Sequence, residues 1–139
     1  MKTVINTNNA PAPIGPYSQA VIAGGFLFVS GQVAISPSTG ELVLNDIKTE
    51  TKQVMENIKA ILTEAGIDFN NIVKTSIFLK DMQNFAQVNE VYGTYFKDNF
   101  PARETVQVAG LPKNVNVEIT VTAILIWKFV DLKIWKWKY

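Results

Sequence analysis

The sequence predicts an α+β fold, a two-layer α/β sandwich with two helices on one face of a mixed sheet. Three observations carry this expectation. Segments of strand and helix character follow one another in the order β-β-β-α-β-α-β-β along 139 residues, a length natural to one domain. Two helices are enough to cover one face of one sheet and no more. The final strand is apolar or small on both sides, with Val117, Ile119, Val121 and Ala123 on one and Thr120, Thr122 and Ile124 on the other. The face that the helices leave open is therefore expected to bury itself against another copy of the chain.

The elements can be justified in order. "TVIN" at 3–6 is a short apolar strand, and "NNAPAPIGP" after it is a loop. "YSQAVIAGGFLFVSG" reads as two strands joined at Gly24-Gly25, a strong hairpin signal. "SPSTG" at 36–40 is turn chemistry. Asn45 or Asp46 can cap a helix that Gly66 ends, and Val54, Met55, Ile58, Ile61, Leu62 and Ala65 recur at helical spacing between them. "NIVKTSIFLKD" at 71–81 alternates, with Val73, Thr75, Ile77 and Leu79 expected on one face. Asn84 is expected to cap a second helix with the stripe Phe85, Val88, Tyr92, Tyr95 and Phe96, stopped by Pro101. Strands at 104–109 and 115–124 follow, separated by a turn at "GLP".

Composition narrows the chemistry. The chain has no cysteine and no histidine, so disulfides, thiolate chemistry, the usual zinc ligands and a Ser-His-Asp triad are all excluded. The glycines lack the spacing of a phosphate-cradling loop, and the acids lack that of a calcium loop. A formal net charge of +1 gives no electrostatic footprint for nucleic acid. The N-terminal stretch has no apolar secretion-signal core and no run reaches transmembrane length, so a cytoplasmic protein is expected.

One seam is visible. All three tryptophans lie in the last thirteen residues, and residues 125–139 carry four lysines against one acid. Residues 1–124 carry nine bases against eleven acids. The reading is a domain at 1–124 and a Trp/Lys-rich extension at 125–139, expected to be extended, with a bulge or reversal near 130–131.

Arg103 is the first candidate functional residue. It is the only arginine, against twelve lysines, in "FPARETVQV". Alternation sends Arg103, Thr105 and Gln107 to one face and Glu104 to the other. The guanidinium is either a bidentate clamp for a substrate carboxylate or a surface charge paired with a nearby acid. Glu118 stands in an otherwise uncharged strand, either buried and suited to acid-base work or exposed at a rim. Asn89 lies beside the apolar stripe of the second helix, facing a ligand, another copy or the core. Tyr17 and Ser30 flank the hairpin, and Gly31 would let a ligand approach the backbone closely.

"IGPYSQAV", "FVSGQVAISPSTGEL", "VNEVYGTYF" and "FPARETVQVAGLPKNVNVEI" together resemble the RidA family, the reactive intermediate deaminases, over roughly residues 1–124. The resemblance implies a chorismate-mutase-like fold and a homotrimer with active sites between neighbouring subunits. It implies hydrolysis of 2-imino acids, formed from enamines such as 2-aminoacrylate, to 2-oxo acids and ammonia without a cofactor. It assigns the substrate carboxylate to Arg103 and water activation to Glu118, and it places Tyr17, Ser30, Gly31 and Asn89 in the pocket. Two departures stand out. Thr105 replaces a frequent cysteine and is expected to serve through its backbone N–H. Glu104 replaces a small residue and would compromise the clamp only if it paired with Arg103.

Members of this family usually end near residue 124. The extension is read as an appended or designed segment mediating a higher assembly, a natural extension packed on the trimer, or, last, a basic aromatic anchor at a membrane surface. The rival to an enzyme is a non-catalytic trimer that binds small carboxylates or regulates, used as a scaffold through its tail. RNA-acting and chaperone readings follow. Expected partners are small 2-imino acids and further copies of the chain, with neither nucleic acid nor a membrane.

Overall fold

The structure is a computed structural model and describes residues 1–125; the expectations for the rest of the extension lie outside the described residues. Strands β1 (Thr3–Ile5), β2 (Ala20–Ala23) and β3 (Phe26–Gln32) precede helix α1 (Ile47–Glu64), and β4 (Ile72–Leu79) precedes helix α2 (Phe85–Gly93). Strands β5 (Ala102–Gln107) and β6 (Val117–Ile124) complete one six-stranded sheet in the order β1-β2-β3-β6-β4-β5. Among the described strands only β4 and β5 run parallel, so the sheet is mixed, with β5 at one edge.

The hairpin forms as its glycines predict. Ala23 pairs with Phe26 across a two-residue turn, and Gly24 and Gly25 both have positive φ, 58° and 80°. That turn matches the twist of the strands and favours residues without a Cβ. Helix α1 starts at Asp46, whose carboxylate accepts from the Thr49 backbone N–H at 2.8 Å. Its stripe of Val54, Met55, Ile58, Ile61 and Leu62 is buried. It packs against the sheet face carrying Val117, Ile119, Val121 and Ala123, which are also buried. Thr120, Thr122 and Ile124 face the other way and are half-buried.

Three local expectations change. Val73 does not join Thr75, Ile77 and Leu79: a bulge between Ile72 and Lys74 puts Ile72 in the core and leaves Val73 exposed. Asn84 makes no side-chain cap; a 3₁₀ turn at Met82–Asn84 leads into α2, capped by Asp81 on the Gln83 N–H at 2.9 Å. Helix α2 ends at Gly93 rather than near Pro101. Thr94, Tyr95 and Phe96 donate three residues back, the tightened ladder of a helix terminus. Tyr95 and Phe96 still pack, against Phe69 and Tyr92.

The open face of the sheet is partly aromatic. Phe26 and Phe28 on β3 and Val106 on β5 stay 38–45% exposed in the single chain. Open-face neighbours also include Lys74, Ser76 and Glu104, which bond to one another across β4 and β5.

One carboxyl is enclosed on the helical side. Glu50 of α1 has no exposed surface. Its Oε1 accepts from the Asn116 side chain at 3.0 Å, while Oε2 has no partner among the described residues. Burial, the larger influence, pushes this carboxyl above its ordinary value against the pull of Asn116. The folded state therefore holds the proton more tightly than the unfolded chain. Its contribution to stability is complete below the unfolded value near about 4.3 and is lost as pH rises through the folded value. Glu50→Gln is expected to stabilise the protein above neutrality and flatten this slope, read by urea unfolding at about pH 5 and about pH 8. An unchanged slope would show that Glu50 does not control it.

Candidate active site

Glu118 stands on the open face of β6, aligned with Phe78 of β4. Beside it, β3 bulges between Val29 and Gln32, which pair with Val121 and Ile119. Ser30 and Gly31 thus oppose one residue of β6, and the bulge brings Gly31 against the glutamate. A Cβ on Gly31 would lie 2.8 Å from the Glu118 carboxyl carbon, so glycine here lets the glutamate keep this position. Burial raises the Glu118 carboxyl above its usual range.

These residues line a cleft of about 290 Å³ together with Tyr17, Pro11, Ile14 and Pro112. The Tyr17 hydroxyl accepts from the Ile14 backbone N–H at 3.1 Å, leaving its own proton available. Ser30 donates its hydroxyl proton to the Ser18 carbonyl at 2.6 Å and offers lone pairs instead. Two buried amides that the sequence reading passed over hold the walls. The Gln19 side chain bonds both backbone groups of Thr7 and the carbonyl of Pro11, fixing the N-terminal loop. Asn57 of α1 donates to the carbonyls of Val33 and Ile35 at 3.1 and 3.0 Å, fixing the chain beyond β3. Polar residues next to apolar helix positions were the available signal for Asn57.

Arg103 lies elsewhere. It pairs in register with the buried Thr75, so it projects to the helical side of edge strand β5, opposite to Glu118. With Asn89, Tyr92, Gly93, Phe100 and Pro101 it lines a second opening of about 520 Å³. Glu104 does not compromise it: that carboxylate faces the other way, 3.1 Å from Lys74 Nζ and 2.9 Å from the Ser76 hydroxyl. Among the described residues the ion pairs are Lys48–Glu90 and Lys74–Glu104, and Arg103 belongs to neither. Thr105, two residues along β5, keeps its hydroxyl buried without a hydrogen-bond partner among the described residues. One chain therefore gathers Tyr17, Ser30, Gly31 and Glu118 in one cleft, and Asn89 and Arg103 in another across the sheet. Among the described residues no cluster of three or more His, Cys, Asp or Glu side chains is placed to hold a metal ion.

This two-layer arrangement, two helices on one face of a mixed six-stranded sheet, is the chorismate-mutase-like fold. A model of the family described as endoribonuclease L-PSP matches residues 7–125, and the chain belongs to this family, the RidA family. A RutC family protein of Pyrococcus horikoshii is 57% identical over 123 residues, covering 88% of this chain and 98% of that protein. The 2-iminobutanoate/2-iminopropanoate deaminase of Mus musculus is 49% identical over 124 residues, covering 89% of this chain and 92% of that protein. The crystal structure of Escherichia coli TdcF with bound serine superposes with a TM-score of 0.84 at 41% identity, covering 88% of this chain and 98% of that one.

The atom nearest to a Gly31 Cβ is the far end of a flexible side chain, which can swing aside. Gly31→Ala is accordingly expected to cost no more than about 1–3 kcal/mol of stability while displacing the Glu118 carboxylate. Thermal unfolding and a crystal structure of the variant check both halves; an unmoved glutamate would refute the steric account.

Proposed function

We propose that the protein hydrolyses small 2-imino acids to 2-oxo acids and ammonia, as a homotrimer whose clefts join Arg103 and Asn89 of one copy to Tyr17, Ser30, Gly31 and Glu118 of the next. The observation that carries this reading is the division of the candidate residues between two openings on opposite faces of one sheet. The half-buried open face, with Phe26 and Phe28 exposed, supplies a surface on which copies can pack. The deaminase name of the mouse relative and the serine bound to TdcF, itself a small carboxylate, support the substrate class.

The chemistry needs little beyond placement. A protonated imine carbon is already electrophilic. Arg103 would hold the substrate carboxylate through two charge-assisted hydrogen bonds, with the Thr105 backbone N–H beside it. Glu118 would take a proton from the attacking water as its oxygen bonds to the imine carbon. That proton then passes to the nitrogen, the C–N bond breaks, and ammonia leaves as Glu118 takes the hydroxyl proton and the carbonyl forms; the ammonia accepts that proton and departs as ammonium. Water is the only co-reactant, and the reaction balances without a cofactor. The gain comes mainly from holding a small anion against one oriented water.

Production of 2-iminobutanoate in situ, with its disappearance followed with and without the protein, tests the activity. Arg103→Ala is expected to lose at least about tenfold in kcat/KM, the scale of one charged hydrogen bond. Binding of 2-oxobutanoate without accelerated imine loss would favour a carboxylate-binding module instead. Since burial raises the Glu118 carboxyl, the rate is expected to fall as pH drops through that raised value, and Glu118→Gln to remove the dependence.

Shared sites permit a stricter test. Arg103→Ala and Glu118→Gln chains, each strongly impaired alone, should regain about a quarter of the native sites when unfolded together and reassembled at equal ratio, because each site draws on two chains. No recovery in mixed assemblies would place both residues in one chain's site and overturn the shared cleft.

A further inference from the structure

Arg103 is held in an unusual way for a buried-edge cation. Its guanidinium carbon lies over two rings of α2, 5.0 Å from the centre of Tyr92 and 5.8 Å from that of Phe85. Positions 85, 89 and 92 share one face of α2, so Asn89 projects between the two rings and into the same opening. Ring faces attract a cation through their quadrupole and take none of its N–H donors. A carboxylate partner would hold the arginine as well, but it would occupy the fork that a ligand needs.

The Tyr92 ring is fixed in turn. Its side chain is almost wholly buried, and its hydroxyl donates to Thr75 Oγ1 at 3.0 Å. Thr75 is fully buried and is the residue of β4 directly paired with Arg103. The contacts close a ring: Arg103 backbone to Thr75, Thr75 to the Tyr92 hydroxyl, and the Tyr92 face back to the guanidinium. Burial keeps the phenol neutral and donating, since it pushes Tyr92 above its ordinary value.

We propose that Phe85, Tyr92 and Thr75 are positioning residues for carboxylate recognition, which carry the Arg103 charge on aromatic faces so that its hydrogen-bonding fork stays open to the ligand. The inference rests on the reading of Arg103 as the carboxylate clamp. It adds that α2 sets affinity for the anion, without touching the reacting atoms.

The test compares 2-oxobutanoate with its neutral amide, 2-oxobutanamide, titrated into the full-length protein by calorimetry. Phe85→Leu and Tyr92→Leu are expected to weaken 2-oxobutanoate about fivefold each and to leave the amide nearly unchanged. Tyr92→Phe, which keeps the ring but loses the bond to Thr75, should fall between the native protein and Tyr92→Leu. In the imine assay the same variants should raise KM with little change in kcat. A purely structural role would weaken both ligands alike, and that result overturns the inference. Should Tyr92→Leu fail to fold, the half-buried Phe85 decides alone. Arg103→Ala separates the two readings: if it leaves 2-oxobutanoate binding intact, the clamp itself is wrong. If it weakens binding while the ring variants do not, the clamp stands and the aromatic support falls.

Discussion

Two helices can cover one face of a six-stranded sheet, and the rest of this structure follows from where that cover stops. Along β6 the odd positions meet α1 and lose all contact with water, while the even positions remain half-open. A carboxylate at an odd position would need a buried partner or would give up its charge. At position 118 it keeps a route to solvent and to an incoming ligand. The edge strand obeys the same alternation with the opposite result. Arg103 falls on the helical side, where an edge position still reaches water and α2 offers its rings. Sheet geometry alone thus prevents one chain from bringing this base and this acid together, and a second copy is the economical remedy.

The three enclosed charged groups illustrate three ways of handling desolvation. Arg103 cannot release its proton, so its surroundings must tolerate a cation, and ring faces do so without consuming donors. Glu118 is enclosed enough to be a stronger base than a surface glutamate and open enough to ionise. Glu50 is enclosed completely, with one oxygen bonded to Asn116 and one to nothing among the described residues. It has no place in the proposed chemistry, and its burden falls on stability alone.

Much of the fold was legible because its signals are local. The Gly24-Gly25 hairpin, the Asp46 cap and the stripe of α1 each depend on neighbours within a few residues. The misreadings had a different origin. Strict alternation groups Val73 with Thr75, and alternation alone does not mark the bulge between Ile72 and Lys74. Pro101 marks only an outer limit for α2, since Gly93 and Thr94 already weaken the helix and the following aromatics pack without it. Gln19 and Asn57 act across intervals of 8–12 and 22–24 residues, beyond any periodic signal. The candidate residues themselves stood out by rarity, one arginine and one isolated strand glutamate. Their separation into two openings is a property of the sheet and could not be read from spacing.

The absence of histidine bears on what such a cleft can do. Neutral-pH proton transfer here must come from a carboxylate displaced from its ordinary range, and the displacement has to arise from enclosure, since the described chain places no hydrogen bond on Glu118 to shift it. Enclosure in the single chain is only partial, because the open face is unfinished. Packing a second copy over that face would deepen the burial, which raises the carboxyl, while the same contact would deliver the Arg103 cation, which lowers it, and exclude water from the guanidinium fork. Assembly would then do two things at once: complete the binding site and tune its base. On this view the bulge at Ser30 and Gly31 is the point on which both depend, since it alone sets how closely the backbone of β3 can approach the glutamate before anything else arrives.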